Sequence, residues 1–476
     1  MKEAKEINDL PSRELATCHC IIGHPHKAKF LAIRHTTGWS VPTLKFPQGS
    51  TDFRAAMITQ GMQHKYGLNT RVLRPHMKSS HYHCIELELA SGGGNKKLDA
   101  VWVDRDQYHK FRSERDVTQD PFDEWLQERE RGTVPALRPA WQIAGWFKQA
   151  DHWIHFQAER LGLQITGGVQ QFKVGWYQSC ILRVPTSGGV LFFKAAYAKP
   201  PGEAALTEFL AEKWPHNIAR PLAVDAARNW LLMRDLAADG ELSPGPSPLP
   251  DFARVLARIQ VESLNCTDQL KALGCPVRDL QFLLNWMEHK DELLASLREG
   301  QEPLTEPELL QLALALTACV SACRLLLDLP VPATLVHNDF RDANLAAQGG
   351  FLRILNWSDA VIAHPFMAME YLNSPRASFH SQGVRCTPED ASGLAIVREA
   401  NSAYLEAFLA LAPVPVLQQA WALAQSLFPL WNLSRLHDKL AWIEKSDARY
   451  EAMATQLQHN ARKLITDSQE MARHAV

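Results

Sequence analysis

Residues 335–366 read LVHNDFRDANLAAQGGFLRILNWSDAVIAHPF. Two apolar runs, Thr334-Leu335-Val336 and Phe351-Leu352-Arg353-Ile354-Leu355, flank a polar loop. The pattern predicts strand, loop, strand, with polar groups presented at the strand ends. Within the loop His337, Asp339 and Asn344 are spaced as H-x-D-x-x-x-x-N. The end of the second apolar run leads into Asn356. An ordinary buried strand pair with a polar turn would account for the first motif alone. The second motif, at this distance, is what argues for more.

A carboxylate such as Asp339 can orient and deprotonate an attacking hydroxyl, and side-chain amide oxygens can hold a divalent cation on nucleotide phosphates. Phosphoryl transfer asks little else of a protein, because its contribution is positioning and charge stabilisation. The stretch resembles the catalytic loop and metal loop of the aminoglycoside phosphotransferase and choline kinase-like family. In that family the first motif reads H-G-D-x-x-x-x-N and the second I-D-W-x-x-A-x-x-G-x-P-x-x-D. This chain has His337-Asn338-Asp339, then Leu355-Asn356-Trp357-Ser358-Asp359-Ala360, then His364-Pro365-Phe366. The resemblance implies ATP and Mg²⁺ as cofactors, Asp339 as the catalytic group, and Asn344 and Asn356 as metal ligands. Two departures matter. Asn356 stands where the family has its metal-binding aspartate, and Ala368 stands where it usually has a structural one. The first replaces a charged ligand by a weaker amide oxygen.

Composition sets the frame for the rest. A chain of 476 residues, 46% hydrophobic and 21% charged, predicts a globular protein of two or three domains. Lys and Arg total 50 against 52 Asp and Glu, which provides no global field for nucleic acid or an anionic membrane. The nine cysteines lack C-x-x-C pairs, so reduced thiols and a cytoplasmic location are expected. Cys18 with Cys20, and Cys319 with Cys323, read as core pairs. The charged N-terminus does not look like a signal peptide, and no apolar run approaches the length of a membrane span.

Residues 1–120 read as a first unit with strands at Cys18–Ile22, Phe30–Arg34, Cys84–Leu89 and Ala100–Val103. A helix is expected over Arg54–Tyr66, closed by Gly67. Gly38-Trp39-Ser40-Val41-Pro42, Phe46-Pro47-Gln48-Gly49 and Met62-Gln63-His64-Lys65-Tyr66-Gly67-Leu68 resemble the Nudix hydrolase box. That box ends in R-E-x-x-E-E-x-G, and its glutamates bind metal. Aligned on Gly67, this chain has Gln60, Gly61, His64 and Lys65 at those positions, which implies a Nudix-like α/β/α fold without Nudix chemistry. His64 reads as an exposed helix residue. Residues 121–165 read as a connector with the charge run Glu128-Arg129-Glu130-Arg131 and a tryptophan-rich helix. Helical spacing places Trp146 and Trp153 on one packing face with Ile154.

Residues 166–240 read as the small lobe of a bilobal, protein kinase-like α+β fold, and residues 241–476 as its helical large lobe. A hairpin is expected from Phe172–Val184 and Val190–Ala195 across Ser187-Gly188-Gly189. By the resemblance, Lys194 would reach the nucleotide phosphates and Glu203 would hold it in place, with Glu208 as a competitor. Ser179 would belong to the phosphate-covering loop near 175–179. The backbone of Met233, Asp235 and Leu236 would meet the adenine edge. Helices are expected over Asp251–Ser263, Gln281–Arg298, Pro307–Leu327, Pro388–Leu411, Val416–Ser434 and Ser446–Ser468. Asp251, Thr387 and Ser446 are candidate caps. Asp359, Glu370, Trp431 and His437 are candidates for the pocket of a small-molecule hydroxyl acceptor, although Trp357, Trp431 and Trp442 read as core before substrate platform. Two functions follow: an ATP-dependent phosphotransferase, or a catalytically impaired pseudoenzyme that binds nucleotide or serves as a scaffold.

Overall fold

A computed structural model describes residues 15–35, 38–47, 55–76, 83–90, 98–111, 121–173, 178–197, 202–236, 249–348, 350–369, 379–381, 384–386, 391–447 and 449–474. The chain divides into two units. The first comprises residues 1–197 with 443–450, and the second comprises 198–442 with 451–476. Both mix helices and strands, so the fold class is α+β.

In the first unit the early strands are β1 (Leu15–Ile22), β2 (Phe30–His35), β3 (Gly38–Ser40) and β4 (Thr43–Pro47). They are followed by helix α1 (Ala55–Tyr66), then β5 (Thr70–Pro75), β6 (His83–Leu89) and β7 (Ala100–Val103). One sheet runs β4-β1-β6-β5, with β1 antiparallel to β4 and parallel to β6. A second, antiparallel sheet runs β3-β2-β7. Strands β3 and β4 are additional to the strands expected from the sequence. Their alternation is too short to register as a period, and the pairing to β1 and β2 decides it. Helix α1 ends as expected at Gly67, whose φ of 67° is a left-handed cap accepted without cost by glycine.

Two helices, α2 (Arg105–Phe111) and α3 (Pro121–Arg131), complete this core. Phe30 packs on Tyr108 and Phe122 with ring centroids 5.4 and 5.1 Å apart. Trp125 is 1% exposed beside Ile21 and Cys84. Beneath that apolar cluster lies a buried ionic network. Glu86 accepts from Arg74 Nε at 2.7 Å and from Trp125 Nε1 at 2.7 Å. Arg138 is bidentate both to Glu128, at 2.9 and 2.8 Å, and to Glu444, at 2.7 and 2.8 Å. Burial alone would raise the carboxyl of Glu86, but Arg74 and His76 pull it well below the usual range. The predicted tryptophan-rich helix is α4 (Trp146–Arg160), and Trp146 and Trp153 both pack on Phe193, at 6.1 and 5.6 Å. Strands β8 (Gln170–Lys173), β9 (Ser179–Thr186) and β10 (Gly189–Ala196) form the expected meander.

The second unit starts with α5 (Glu203–Lys213) and the hairpin β11 (Ala223–Asp225) and β12 (Trp230–Arg234). Helices α6 (Leu249–Ser263), α7 (Thr267–Ala272), α8 (Leu280–Glu288), α9 (Asp291–Ser296) and α10 (Glu306–Leu327) come next. Short strands β13 (Thr334–Val336), β14 (Leu345–Gln348), β15 (Phe351–Ile354) and β16 (Val361–Ala363) carry the motif of residues 335–366. After β17 (Phe379–Ser381) and β18 (Val384–Cys386), helices α11 (Ala391–Glu406), α12 (Val414–Ser426), α13 (Phe428–Leu440) and α14 (Tyr450–His474) close the unit.

Several boundaries differ from the sequence reading. Gln281–Arg298 is two helices, and Val416–Ser434 breaks at Leu427. There Pro429 occupies the first turn of α13, a place where its missing N–H costs nothing. Asp251 lies inside the first turn of α6 and Ser446 precedes α14, so neither caps a helix. The observed caps are Asp279, which accepts from Phe282 N, and the Thr305–Glu308 capping box. Thr387 lies outside the described residues.

The expectation about membrane spans also needs correction. By length and composition, the 22-residue α10 is apolar enough to cross a membrane. Between Leu309 and Cys323 its interruptions, Gln311, Thr317 and Ser321, are uncharged, and Arg324 is the one charge beyond them. One stripe is buried through Leu309, Leu312, Leu316, Cys319 and Cys323. On another, Leu310 and Leu314 are 66% and 65% exposed.

Candidate functional site

The site grows from β13, which pairs antiparallel with β16 in the register Leu335↔Ile362. All six residues of the two strands are buried, so the chain emerges from the core at His337 in one fixed direction. His337 is itself fully buried. Its Nε2 donates to the carbonyl of Leu355 at 2.8 Å, and its Nδ1 accepts from the amide of Asp339 at 3.2 Å. These two bonds require the neutral Nε2–H tautomer. The ring also meets Trp357 edge to face at 4.6 Å. His337 thus stitches the loop after β13 to the end of β15, and its role is positional.

Asn338 follows with φ 62°, the left-handed region. Glycine takes this conformation without cost and asparagine tolerates it best among the rest. This is the physical reason that an asparagine can stand at the family's glycine position. Its Oδ1 accepts from Trp431 Nε1 at 3.2 Å. The turn delivers Asp339, whose side chain is 22% exposed. Asn344, at the end of a short 3₁₀ turn, donates from Nδ2 to both the carbonyl and the Oδ2 of Asp339, each at 2.8 Å. The second loop contributes Asn356, also left-handed at φ 65°. Its Nδ2 lies 3.4 Å from Asp339 Oδ2 and 3.4 Å from Asn344 Oδ1. Ser358 Oγ donates to Asn356 Oδ1 at 3.1 Å. Asp339, Asn344 and Asn356 therefore form one hydrogen-bonded ring, drawn from two loops that β13, β15 and β16 hold in place.

The ring carries one carboxylate and two amides. Magnesium commonly takes one or two carboxylates, with nucleotide phosphates supplying much of the rest. Here both amide oxygens accept hydrogen bonds from within the site, from Asn356 and Ser358. The donor set fits an ion delivered on nucleotide phosphates, which would draw on Asn344 Oδ1 and Asn356 Oδ1. It does not fit an ion held by the protein alone. Among the described residues, no three His, Cys, Asp or Glu side chains are grouped to hold a metal.

The other expected site residues lie as follows. Glu203 is 3% exposed in the first turn of α5, in the second unit. Met233 lies one residue before the end of β12, and Asp235 and Leu236 follow the strand. Ser179 opens β9 opposite Ala196, and Lys194 faces Ile181 on β10, both in the first unit. Residues 174–177 and Glu370 lie outside the described residues.

A small cleft, with room of about 70 Å³, opens beside the ring, between the loop before α8 and one face of α13. Asn338, Ser358 and Asp359 line it, with Arg278 on one side and Trp431 and Trp442 on the other. Asp359 borders the cleft, and Trp431, 2% exposed, reaches it only from the core. His437 does not line the cleft and packs against Trp286, ring centroids 6.0 Å apart. Trp442 is 37% exposed at the rim, not core as its type suggested.

Sequence reasoning passed over Arg341, Ser358, Arg278, Arg435, Asp438 and Lys439. Arg341 Nε stands 3.1 Å from Asp339 Oδ1, and its place two residues after the carboxylate was the available signal. Arg435 and Asp438 come with Trp431 from one face of α13, at a spacing of four and three that was legible but had no partner to mark it, and Lys439 comes from the same helix; Arg278 lies in the loop before α8 and Ser358 in the turn after β15.

No family model and no curated relative matches the chain. Among solved structures, it is similar to a macrolide 2′-phosphotransferase from Brachybacterium faecium, with 17% identity over 65% of this chain and 98% of that one, at a TM-score of 0.40. A choline/ethanolamine kinase family protein from Mesorhizobium loti gives 15% identity, 68% and 97% coverage, and a TM-score of 0.43. An ethanolamine kinase from Plasmodium vivax gives 10% identity, 73% and 95% coverage, and a TM-score of 0.43. Likenesses at such identities and TM-scores carry no argument, and the ring of Asp339, Asn344 and Asn356 has to speak for itself.

Proposed function

We propose that the chain transfers the terminal phosphoryl group of ATP to a hydroxyl of a small molecule. The observation that carries this reading is the convergence of Asp339, Asn344 and Asn356 from two loops into one ring. Asp339 would accept the proton of the acceptor hydroxyl as its oxygen bonds to the terminal phosphorus and the bond from that phosphorus to the bridging oxygen of ADP breaks. Asn344 holds Asp339 by two hydrogen bonds, which fixes the direction of its free lone pairs. Arg341 Nε, 3.1 Å from Oδ1, holds the carboxylate from its other oxygen. Magnesium, when bound with the nucleotide through Asn344 and Asn356, would neutralise charge on the phosphates. Following the resemblance, Lys194 and Glu203 would serve the phosphates, Ser179 the loop above them, and Met233, Asp235 and Leu236 the adenine.

A second reading is supported by the same ring. Both amide oxygens are already satisfied within the site, so the centre is stable without metal, and the chain would bind nucleotide without turning it over. Asn356→Asp separates the two. Under the first reading, wild-type protein with Mg²⁺ or Mn²⁺ consumes ATP, and Asp339→Ala lowers the rate by about 10² to 10⁴. Unchanged turnover in Asp339→Ala would show that the site is misplaced. Under the second reading, wild-type protein shows a nucleotide-induced thermal shift but no turnover, and Asn356→Asp creates it. Absence of any thermal shift with ATP removes both.

For the first unit we infer a Nudix-like fold without hydrolase chemistry. In support, Gly61 presses on Leu44, where an added Cβ would stand 3.1 Å from Leu44 Cδ2. Lys65 donates to the carbonyl of Thr43 at 2.8 Å. A side chain at the first position would press on Leu44, and a cation sits at the last.

A further inference from the structure

Both loops of the ring are tied to one helix, α6, by different means. For β13 the link is direct: Ser263, the last residue of α6, accepts from the amide of Leu335 at 3.0 Å. For β15 it runs through the turn of residues 214–218 that follows α5. That turn is tied to α6 twice, by Trp214 Nε1 donating to Glu262 Oε2 and by Arg258 Nη2 donating to Asn217 Oδ1. On its other side it meets every residue of β15. His216 stacks on Phe351 with ring centroids 4.7 Å apart. Asn217 Nδ2 donates to the carbonyl of Leu352 at 2.9 Å. Arg353 Nη1 donates to the carbonyl of Ile218 at 3.1 Å. The amide of Ile354 donates to the carbonyl of Asn217 at 2.9 Å.

One edge of β15 pairs with β14, where the amide of Leu355 donates to the carbonyl of Asn344 at 2.8 Å. Among the described residues the other edge has no partner strand. Asn217, 7% exposed, stands in for one: its side chain donates to one backbone group of that edge and its carbonyl accepts from another two residues on, as in a ladder. An edge closed in this way cannot slip without leaving buried polar groups unpaired. Asn356 follows Ile354 by two residues, so the placing of that edge places Asn356. We propose that Asn217 is a positioning residue of the site: it passes the position of α6 to the end of β15, and so sets the reach of Asn356 towards Asp339 and Asn344. The inference rests on the phosphotransferase reading for the metal-bound nucleotide that Asn344 and Asn356 would hold, and on the bonds of the turn for the rest.

The test is a double-mutant cycle on the full chain, read as the Kd of Mg·ATP by calorimetry, with the thermal midpoint of each variant measured beside it. Asn217→Asp keeps the acceptor that Arg258 uses and removes the donor that Leu352 uses. It should weaken Mg·ATP about tenfold, the scale on which groups behind metal ligands act. In an Asn356→Ala background the same change should have no further effect, because its route to the nucleotide is already cut. A merely structural role would instead weaken binding by the same factor in both backgrounds. Arg258→Gln, at a side chain 54% exposed, should repeat the pattern with a smaller factor, and it decides alone if Asn217→Asp does not fold. Equal factors in the two backgrounds, or an Asn217→Asp variant that binds Mg·ATP as wild type does, overturns the proposal and leaves the phosphotransferase reading intact. Wild-type protein that takes up no Mg·ATP overturns that reading, and the role of Asn217 with it.

Discussion

At the scale of single residues, the decisive positions are two asparagines with left-handed backbones. Asn338 and Asn356 each turn the chain so that a side chain enters the ring or its support. Asn338→Ala should cost about 1–2 kcal/mol, the steric penalty of an alanine held left-handed. Asn338→Gly relieves that strain and loses only the bond to Trp431, so its denaturation midpoint should lie above that of the alanine variant. A midpoint for Asn338→Ala equal to wild type would show that the loop relaxes. The histidine of His364-Pro365-Phe366 provides a second residue-level outcome. His364 is 3% exposed, and burial pushes its ring down to about 3. The unfolded chain, with a histidine near 6.5, binds a proton that the folded one refuses throughout the interval from 6.5 to 3. Its contribution is therefore intact above pH 6.5 and erodes as pH falls, by about 1.4 kcal/mol per unit. Urea unfolding at pH 7 and pH 5 should show a steeper loss for wild type than for His364→Leu; parallel losses would rule out this source. The motif residues themselves were legible because a carboxylate and two amides at fixed spacing have few structural uses. The left-handed turns were not, since asparagine occurs in many conformations and nothing local announces which it takes.

At the scale of elements, the sequence showed helices clearly where an apolar stripe ran long, as in α10, and strands where β-branched runs were bounded by glycine, as in β9 and β10. It joined α8 to α9 and α12 to α13 because an apolar period can continue through a break when both helices face the same core. Pro429 was the local signal that should have divided the second pair. The observed caps were passed over in the sequence: Thr305 and Glu308 make the reciprocal pair of a capping box, Glu308 N donating to Thr305 Oγ1 at 3.4 Å and Thr305 N to Glu308 Oε2 at 2.7 Å. Thr305→Ala should lower stability by about 1 kcal/mol. The measurement is a shift in denaturant midpoint with an unchanged slope. A changed slope would point instead to altered compactness of the unfolded chain.

At the scale of the molecule, what sequence could not show is how a distant segment completes a unit. Residues 443–450 belong with residues 1–197, and nothing in their composition indicates it. The tie is Arg138, whose guanidinium is shared between Glu128 and Glu444. Burial works against its charge, but the two carboxylates hold its proton more firmly than usual. Glu444→Ala leaves that cation short of a partner where its side chain is only 4% exposed, and should cost about 3–5 kcal/mol. Arg138→Met with Glu444→Leu should recover much of that loss, since a buried ion pair replaced on both sides by apolar groups is often neutral. Recovery would be read as a return of the thermal midpoint towards wild type; a double variant as weak as the single one would show that the bond is more than charge balance.

That shared guanidinium has a practical corollary for anyone who wishes to cut the polypeptide in two. A plasmid ending at residue 197 would encode every strand of the N-terminal half yet omit the acid that Arg138 requires. Such a product should emerge less stable than the same half supplied in trans with a peptide spanning 443–450, so the gene has no single point at which it can be divided without loss.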